Sequence, residues 1–158
     1  MRRPSRTAKR RAAGFTLLEL LLVIAILGIV AGIFSWFLLR SLRQTELRDA
    51  GAQLVADLRR ARSDAQKSGQ VTTLQLDPLK TGYTVRVGAG TPAARELPHR
   101  VMVETETGPP QVLYQPPFGT LDDSGVVWRL RSLSYTDLQL YVKVVGITGK
   151  VMLSGAAD

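Results

Sequence analysis

From Phe15 to Leu39 the chain reads FTLLELLLVIAILGIVAGIFSWFLL, twenty-five residues whose only charge is Glu19, with Arg40 closing the run. No other stretch limits the fold as strongly. At 1.5 Å per residue a helix of this length covers roughly 37 Å, against about 30 Å of hydrocarbon in a bilayer, so the run predicts a membrane-spanning helix. A Sec-type signal would have a shorter apolar stretch, about 7 to 15 residues, and then a small-x-small cleavage site; neither is evident here. Arg2, Arg3, Arg6, Lys9, Arg10 and Arg11 precede the run with no acid among the first fourteen residues, while Arg40, Arg43, Arg48 and Arg59 follow it. The bias favours a cytoplasmic N-terminus.

Glu19 is the anomaly in the span. A carboxylate at the bilayer centre costs about 2.5 to 3.5 kcal/mol on insertion scales, so the residue needs either a partner or a shallow position. Two readings stand on spacing alone. In one, Glu19 sits at headgroup level and interacts with its own helix N-terminus; in the other, it forms a specific pair. Gly28 and Gly32 form a G-x-x-x-G, which lets a second helix approach closely.

Net charge is +8, which invites a nucleic-acid reading until its location is considered. Without the six leader cations the balance falls to +2, so bulk charge gives a DNA-coating protein little support. The 158 residues include no cysteine and one histidine, His99. Disulfides, thiolate metal sites, cysteine nucleophiles and multi-histidine clusters are thereby excluded. No G-x-S-x-G, P-loop or metal-ligand spacing is present, so an enzyme is not expected, and neither is a cofactor. Asp122-Asp123-Ser124-Gly125 is the one acidic cluster that invites calcium. Two adjacent carboxylates are a poor start toward the six to eight oxygens that calcium takes, and a solvated turn is the simpler reading.

Beyond the span, Leu47, Ala50, Leu54, Leu58, Ala61 and Ala65 step by three or four with charged residues between them, an amphipathic helix continuing to Gly69. Arg59, Arg60 and Arg62 read there as a solvated face. After Gly69 the pattern changes to period two. Strands are predicted over 83–87, 126–131 and 138–144, with shorter candidates at 72–76, 100–104, 112–115 and 150–154. The Gly- and Pro-rich gaps between them are too short for helical crossovers, so the strands pair antiparallel. The expected architecture is α+β: a leader over 1–14, a spanning segment over 15–39, an amphipathic continuation over 40–69 and an antiparallel β-rich domain over 70–158.

Arg10-Arg11-Ala12-Ala13-Gly14-Phe15-Thr16-Leu17-Leu18-Glu19 resembles the N-terminal signal of type IV prepilins and type II secretion pseudopilins: a basic leader ending in Gly, then Phe, then Glu as the fifth residue counted from Phe15. The resemblance implies that a membrane prepilin peptidase cuts between Gly14 and Phe15 and that Phe15 is N-methylated. It also implies that Glu19 neutralises the α-amino group of a neighbouring subunit during filament assembly. One departure stands out, because many major pilins carry a mid-helix proline where this chain has Trp36, and no proline occurs between Pro4 and Pro78.

The whole chain resembles the GspH/FimT group of minor pseudopilins, in the helix end Ala52 to Gln70, in Phe118-Gly119-Thr120-Leu121 and in Val145 to Val151. This implies a structural subunit of a type II secretion pseudopilus, anchored in the inner membrane with its domain in the periplasm and other pilins or pseudopilins as partners. The alternative is a type IV pilus minor pilin of FimT type that binds DNA during uptake through Arg129, Arg131, Lys143 and Lys150. A third reading is an unprocessed single-span protein with a β-rich domain.

Overall fold

The computed structural model describes residues 15–122 and 125–156. The leader with Gly14, and Asp123 and Ser124 of the acidic turn, lie outside the described residues. One helix, α1 (Leu17–Ser68), runs through both halves of the predicted helical region without a break. The chain divides into two compact units after Leu38.

In the first unit every described residue from Phe15 to Leu38 is exposed. Leu, Ile, Val and Phe cover all sides of this part of α1, so no polar face offers itself to water. A helix that is apolar all round belongs in a core or in lipid, and this length and composition suffice to cross a membrane.

In the second unit α1 is amphipathic. Leu47, Ala50, Gly51, Leu54, Val55, Leu58, Ala61 and Ala65 are buried, the three- and four-residue steps placing them on one stripe. The helix stops where Gly69 takes a left-handed φ of +67°, which residues with a Cβ rarely adopt. The Gly69 amide still donates to the Ala65 carbonyl at 3.2 Å.

Among the described residues eight strands follow: β1 (Thr72–Leu76), β2 (Gly82–Val87), β3 (Ala93–Glu96), β4 (Val101–Thr107), β5 (Gln111–Tyr114), β6 (Gly125–Ser132), β7 (Gln139–Val145) and β8 (Lys150–Ser154). They form two four-stranded antiparallel sheets, ordered β3-β2-β1-β5 and β4-β6-β7-β8. Period-two alternation supplies the core: Leu74, Leu76 and Tyr83 from the first sheet, Val126, Trp128, Leu130, Val142 and Val144 from the second, and the buried stripe of α1 form one cluster. Trp128, the largest of the fully buried side chains, satisfies its ring N–H at the Pro109 carbonyl, 3.2 Å away.

The predicted strands over 72–76 and 150–154 have the observed bounds. The division into two sheets was not predicted, and neither was β3, whose four residues Ala-Ala-Arg-Glu are all exposed at a sheet edge and carry no alternation. His99 lies exposed in a short turn (Pro98–Arg100) with φ of 60°.

Candidate processing and assembly site

The N-terminus of α1 is built by Thr16. Its hydroxyl accepts the Glu19 amide N–H at 3.2 Å, and its carbonyl accepts the Leu20 amide at 3.2 Å. Thr16 is therefore the N-cap and Glu19 the third helical residue, the spacing of a capping box. Phe15 lies immediately before this turn, exposed. Among the described residues the Glu19 carboxylate makes no ion pair or hydrogen bond, so any cation that answers it lies outside them. Gly28 and Gly32 share one side of α1, and a Cβ at either would meet nothing within 4 Å, so this side presents a shallow, open groove.

The predicted nucleic-acid residues are brought onto one face. Arg129 and Arg131 point away from the core on β6; Lys143 of β7 pairs in register with Val127 of β6, and Lys150 of β8 with Val145 of β7, on the same side of the sheet. Arg129 and Arg131 are already engaged by carboxylates, however. Arg129 binds Glu104 at 3.2 Å and Glu106 at 3.1 Å, and Arg131 binds Glu104 at 3.2 Å. Lys80 reaches Glu104 from the β1–β2 turn at 2.8 Å. That turn is held by Lys80 in a left-handed conformation (φ 62°), with its carbonyl accepting the Val103 amide. The Lys80 hydrogen bond, helped by Arg129 and Arg131, holds the Glu104 carboxyl below its usual range, so it stays ionised at neutral pH.

Glu104 and Glu106 were not singled out from sequence, although a signal for them exists: Glu-x-Glu on one strand and Arg-x-Arg on another are the spacing that antiparallel neighbours need to pair. Asp122 receives the Gln115 side-chain amide at 2.7 Å. No group of three His, Cys, Asp or Glu able to hold a metal occurs among the described residues.

A second polar constellation joins α1 to the first sheet. The Tyr83 hydroxyl donates to Asp57 at 2.7 Å, and Gln53 donates to the Glu96 carbonyl at 3.1 Å. Burial and the Asp57 carboxylate push the Tyr83 phenol well above its ordinary value. These contacts fix the helix against the sheet and carry no reacting group.

The prokaryotic N-terminal methylation motif matches residues 9–35. Two crystal forms of the type IV minor pilin FimU of Pseudomonas aeruginosa PAO1 share the fold. One is superposed with a TM-score of 0.56 at 16% identity over 68% of this chain and 91% of that one. The other gives 0.58 at 17% identity over 70% and 89%. No curated protein sequence matches the chain. The chain thus carries the methylation motif on a pilin-like fold.

Proposed function

We propose that this chain is a minor subunit of a type IV pilin-like filament: prepilin peptidase cuts it between Gly14 and Phe15, the new N-terminus is methylated, and the inner membrane holds it through α1 until assembly. The observation that carries this reading is the methylation motif seated on a helix that is apolar on every side. A small residue before the cut suits an extended backbone entering a protease cleft. Once the leader is removed, Thr16 caps the helix one residue behind a charged terminus, with Glu19 on the first turn beside it.

Two machines use such subunits. The shared fold with FimU favours a pilus over a secretion pseudopilus, and the pseudopilin is the second reading, supported by the sequence resemblance of the helix end. DNA uptake through Arg129 and Arg131 is disfavoured by their ion pairs to Glu104 and Glu106.

Intact-mass measurement of the protein from cells with an active prepilin peptidase is the test. The expected product lacks Met1 to Gly14 and carries one added methyl group, and Gly14→Val should leave the full-length chain. A full-length, unmethylated product from the parent sequence in such cells would sink the proposal. Recovery in sheared pili, or failure of secretion on deletion, then separates the two machines.

A further inference from the structure

The strands of the second sheet show which end of the second unit lies nearest Leu39. On β8 the Val151 carbonyl accepts from the Arg59 guanidinium at 3.4 Å, and Leu153 stands against Gly51, where an added Cβ would meet its Cδ1 at 3.0 Å. Two residues forward on β8 are thus eight residues back along α1, so β8 runs toward the Leu39 end. Its antiparallel neighbour β7 runs away from that end, which places the connection between β6 and β7, residues 133–138, at the Leu39 end of the sheet. Arg40 agrees, since its guanidinium reaches Asp137 of this connection at 2.8 Å.

Arg40 is the first charge after the apolar run. That run covers roughly 37 Å against about 30 Å of hydrocarbon, and headgroups add about 5 to 8 Å on each side. In a spanning chain the Arg40 guanidinium therefore lies in the headgroup layer, and Asp137, bound to it, shares that depth. With side chains 52% and 56% exposed, such a pair is weak in water. Where the dielectric constant falls it is stronger, and an aspartate held there without a cation would be costly.

The connection suits that layer. From Leu133 to Leu138 it reads LSYTDL, with Asp137 as its only charge. The Ser132 amide donates to the Leu138 carbonyl at 3.4 Å and the Leu138 amide to the Tyr135 carbonyl at 3.1 Å, closing the hairpin end. Leu133 is 55% exposed and Tyr135 half-buried, and Leu39 and Leu42 on α1 are exposed as well, so the apolar surface of the span continues onto this end of the domain. Tyrosine is favoured at a membrane boundary, where its ring is apolar and its hydroxyl stays wet. Phe118 and Ile147 are also exposed, but at the other end. The Phe118 carbonyl accepts from Gln66, about 39 Å beyond Arg40 along the helix, and Ile147 precedes Gly149 and Lys150, which border the same Gln66.

We propose that the connection between β6 and β7 is a membrane foot: Leu133 and Tyr135 enter the headgroup layer of the phospholipid bilayer that holds α1, and the Arg40–Asp137 pair fixes them at that depth. The inference rests on the reading of 15–39 as a membrane span. It gives the domain a preferred standing on the membrane before assembly, and lifting the subunit into a filament must withdraw the foot. Arg40, Arg43 and Arg48 are balanced by Glu46, Asp49 and Asp137 at this end, so the attachment is apolar in character and needs no anionic lipid.

The absence of native cysteine lets single labels report each level. Ser134→Cys marks the foot, Thr148→Cys the other end of the domain and Ile29→Cys the span. Each carries an environment-sensitive fluorophore in the full-length chain, reconstituted in phosphatidylcholine nanodiscs, which leave both faces open to water. Lipids with a nitroxide on the headgroup should quench the label at 134 several-fold more than aqueous iodide does, and the label at 148 should show the reverse order. Leu133→Ser with Tyr135→Ser should return the label at 134 to the aqueous pattern at an unchanged thermal midpoint, whereas Leu133→Phe with Tyr135→Trp should keep it shielded. Anionic phosphatidylglycerol or added salt should leave the pattern as it is. A label at 134 as open to iodide as the one at 148 would overturn the proposal, as would shielding that appears only with anionic lipid. So would headgroup quenching that survives the double serine variant, since the ion pair alone would then set the depth. A label at 29 that acyl-chain nitroxides fail to quench counts against the span itself, whereas a quenched label at 29 beside a wet one at 134 counts against the foot alone.

Discussion

Thr16 holds the amide of Glu19, so the carboxylate is placed on the first turn of α1 by local chemistry, before any partner is considered. A charge there costs less than at the bilayer centre, where insertion scales give about 2.5 to 3.5 kcal/mol, but it still favours a counter-charge in a medium without water. On the proposed filament reading, the new α-amino group of a neighbouring subunit is the cation that assembly would bring to that depth. Glu19→Ala should therefore leave peptidase cutting, membrane insertion and domain folding intact while crosslinking to partner subunits falls by an order of magnitude. Glu19→Asp should recover part of it, the charge being kept on a stem shorter by one methylene. Undiminished crosslinking and filament formation by Glu19→Ala would show the carboxylate to be an interfacial residue with no pairing role.

At the scale of elements, α1 does two jobs with one backbone, and its sequence shows where they change. Beyond Leu39 its apolar residues collapse onto a single stripe, with Leu54 and Leu58 fully buried against the sheets. Leu58→Ala removes a side chain from a close-packed core and should cost about 2 to 5 kcal/mol, a large share of the roughly 5 to 15 kcal/mol that holds a domain folded. Leu27→Ala, on the exposed first part of the helix, should leave the thermal midpoint of the domain unchanged. Melting both variants in the same detergent checks the pair, and equal loss would mean that the two parts fold as one unit. The same contrast explains what was legible in the sequence. Periodicity marks the helix, its stop at Gly69 and seven of the eight strands, because each alternation reports a face that must be buried. β3 stayed hidden because Ala93 to Glu96 bury nothing. The two-sheet order and the Lys80–Glu104 contact stayed hidden because they depend on register between distant strands and on a left-handed turn at Lys80. The processing motif was legible because it is local. The exposure of Phe118 was not, since nothing in sequence says that this residue stays at the surface while Gln66 holds its carbonyl.

For the whole molecule the question is how much of the basic character survives to meet an anion. Net charge is +8 for the full chain and +2 without its first fourteen residues, the mature form that the proposed processing would leave. Of what remains, Arg129 and Arg131 are bound to Glu104 and Glu106, and the other cations are scattered over the domain, so one DNA footprint, such as the groove lined by Arg59, Arg62 and Lys150, would supply about three phosphate contacts. Counterion release scales with contacts made: three give a slope of log K against log salt of about −3, and six leader cations added to them bring it toward about −8. The mature protein should thus bind duplex DNA weakly, with affinity falling by about thirty-fold for a threefold rise in salt, while the uncut precursor binds more tightly and loses affinity more steeply. Replacing Arg129 and Arg131 by alanine should change the mature protein's binding by less than twofold, because those guanidiniums must first leave carboxylates two residues apart on the neighbouring strand. Fluorescence anisotropy of a labelled duplex, titrated with precursor, mature protein and the double variant at several salt concentrations, measures each of these. Mature binding that persists at physiological salt and disappears in the Arg129 and Arg131 variant would reverse the argument, since it would mean that the ion pairs to Glu104 and Glu106 open for DNA and that the outer face of β6 is a nucleic-acid surface after all.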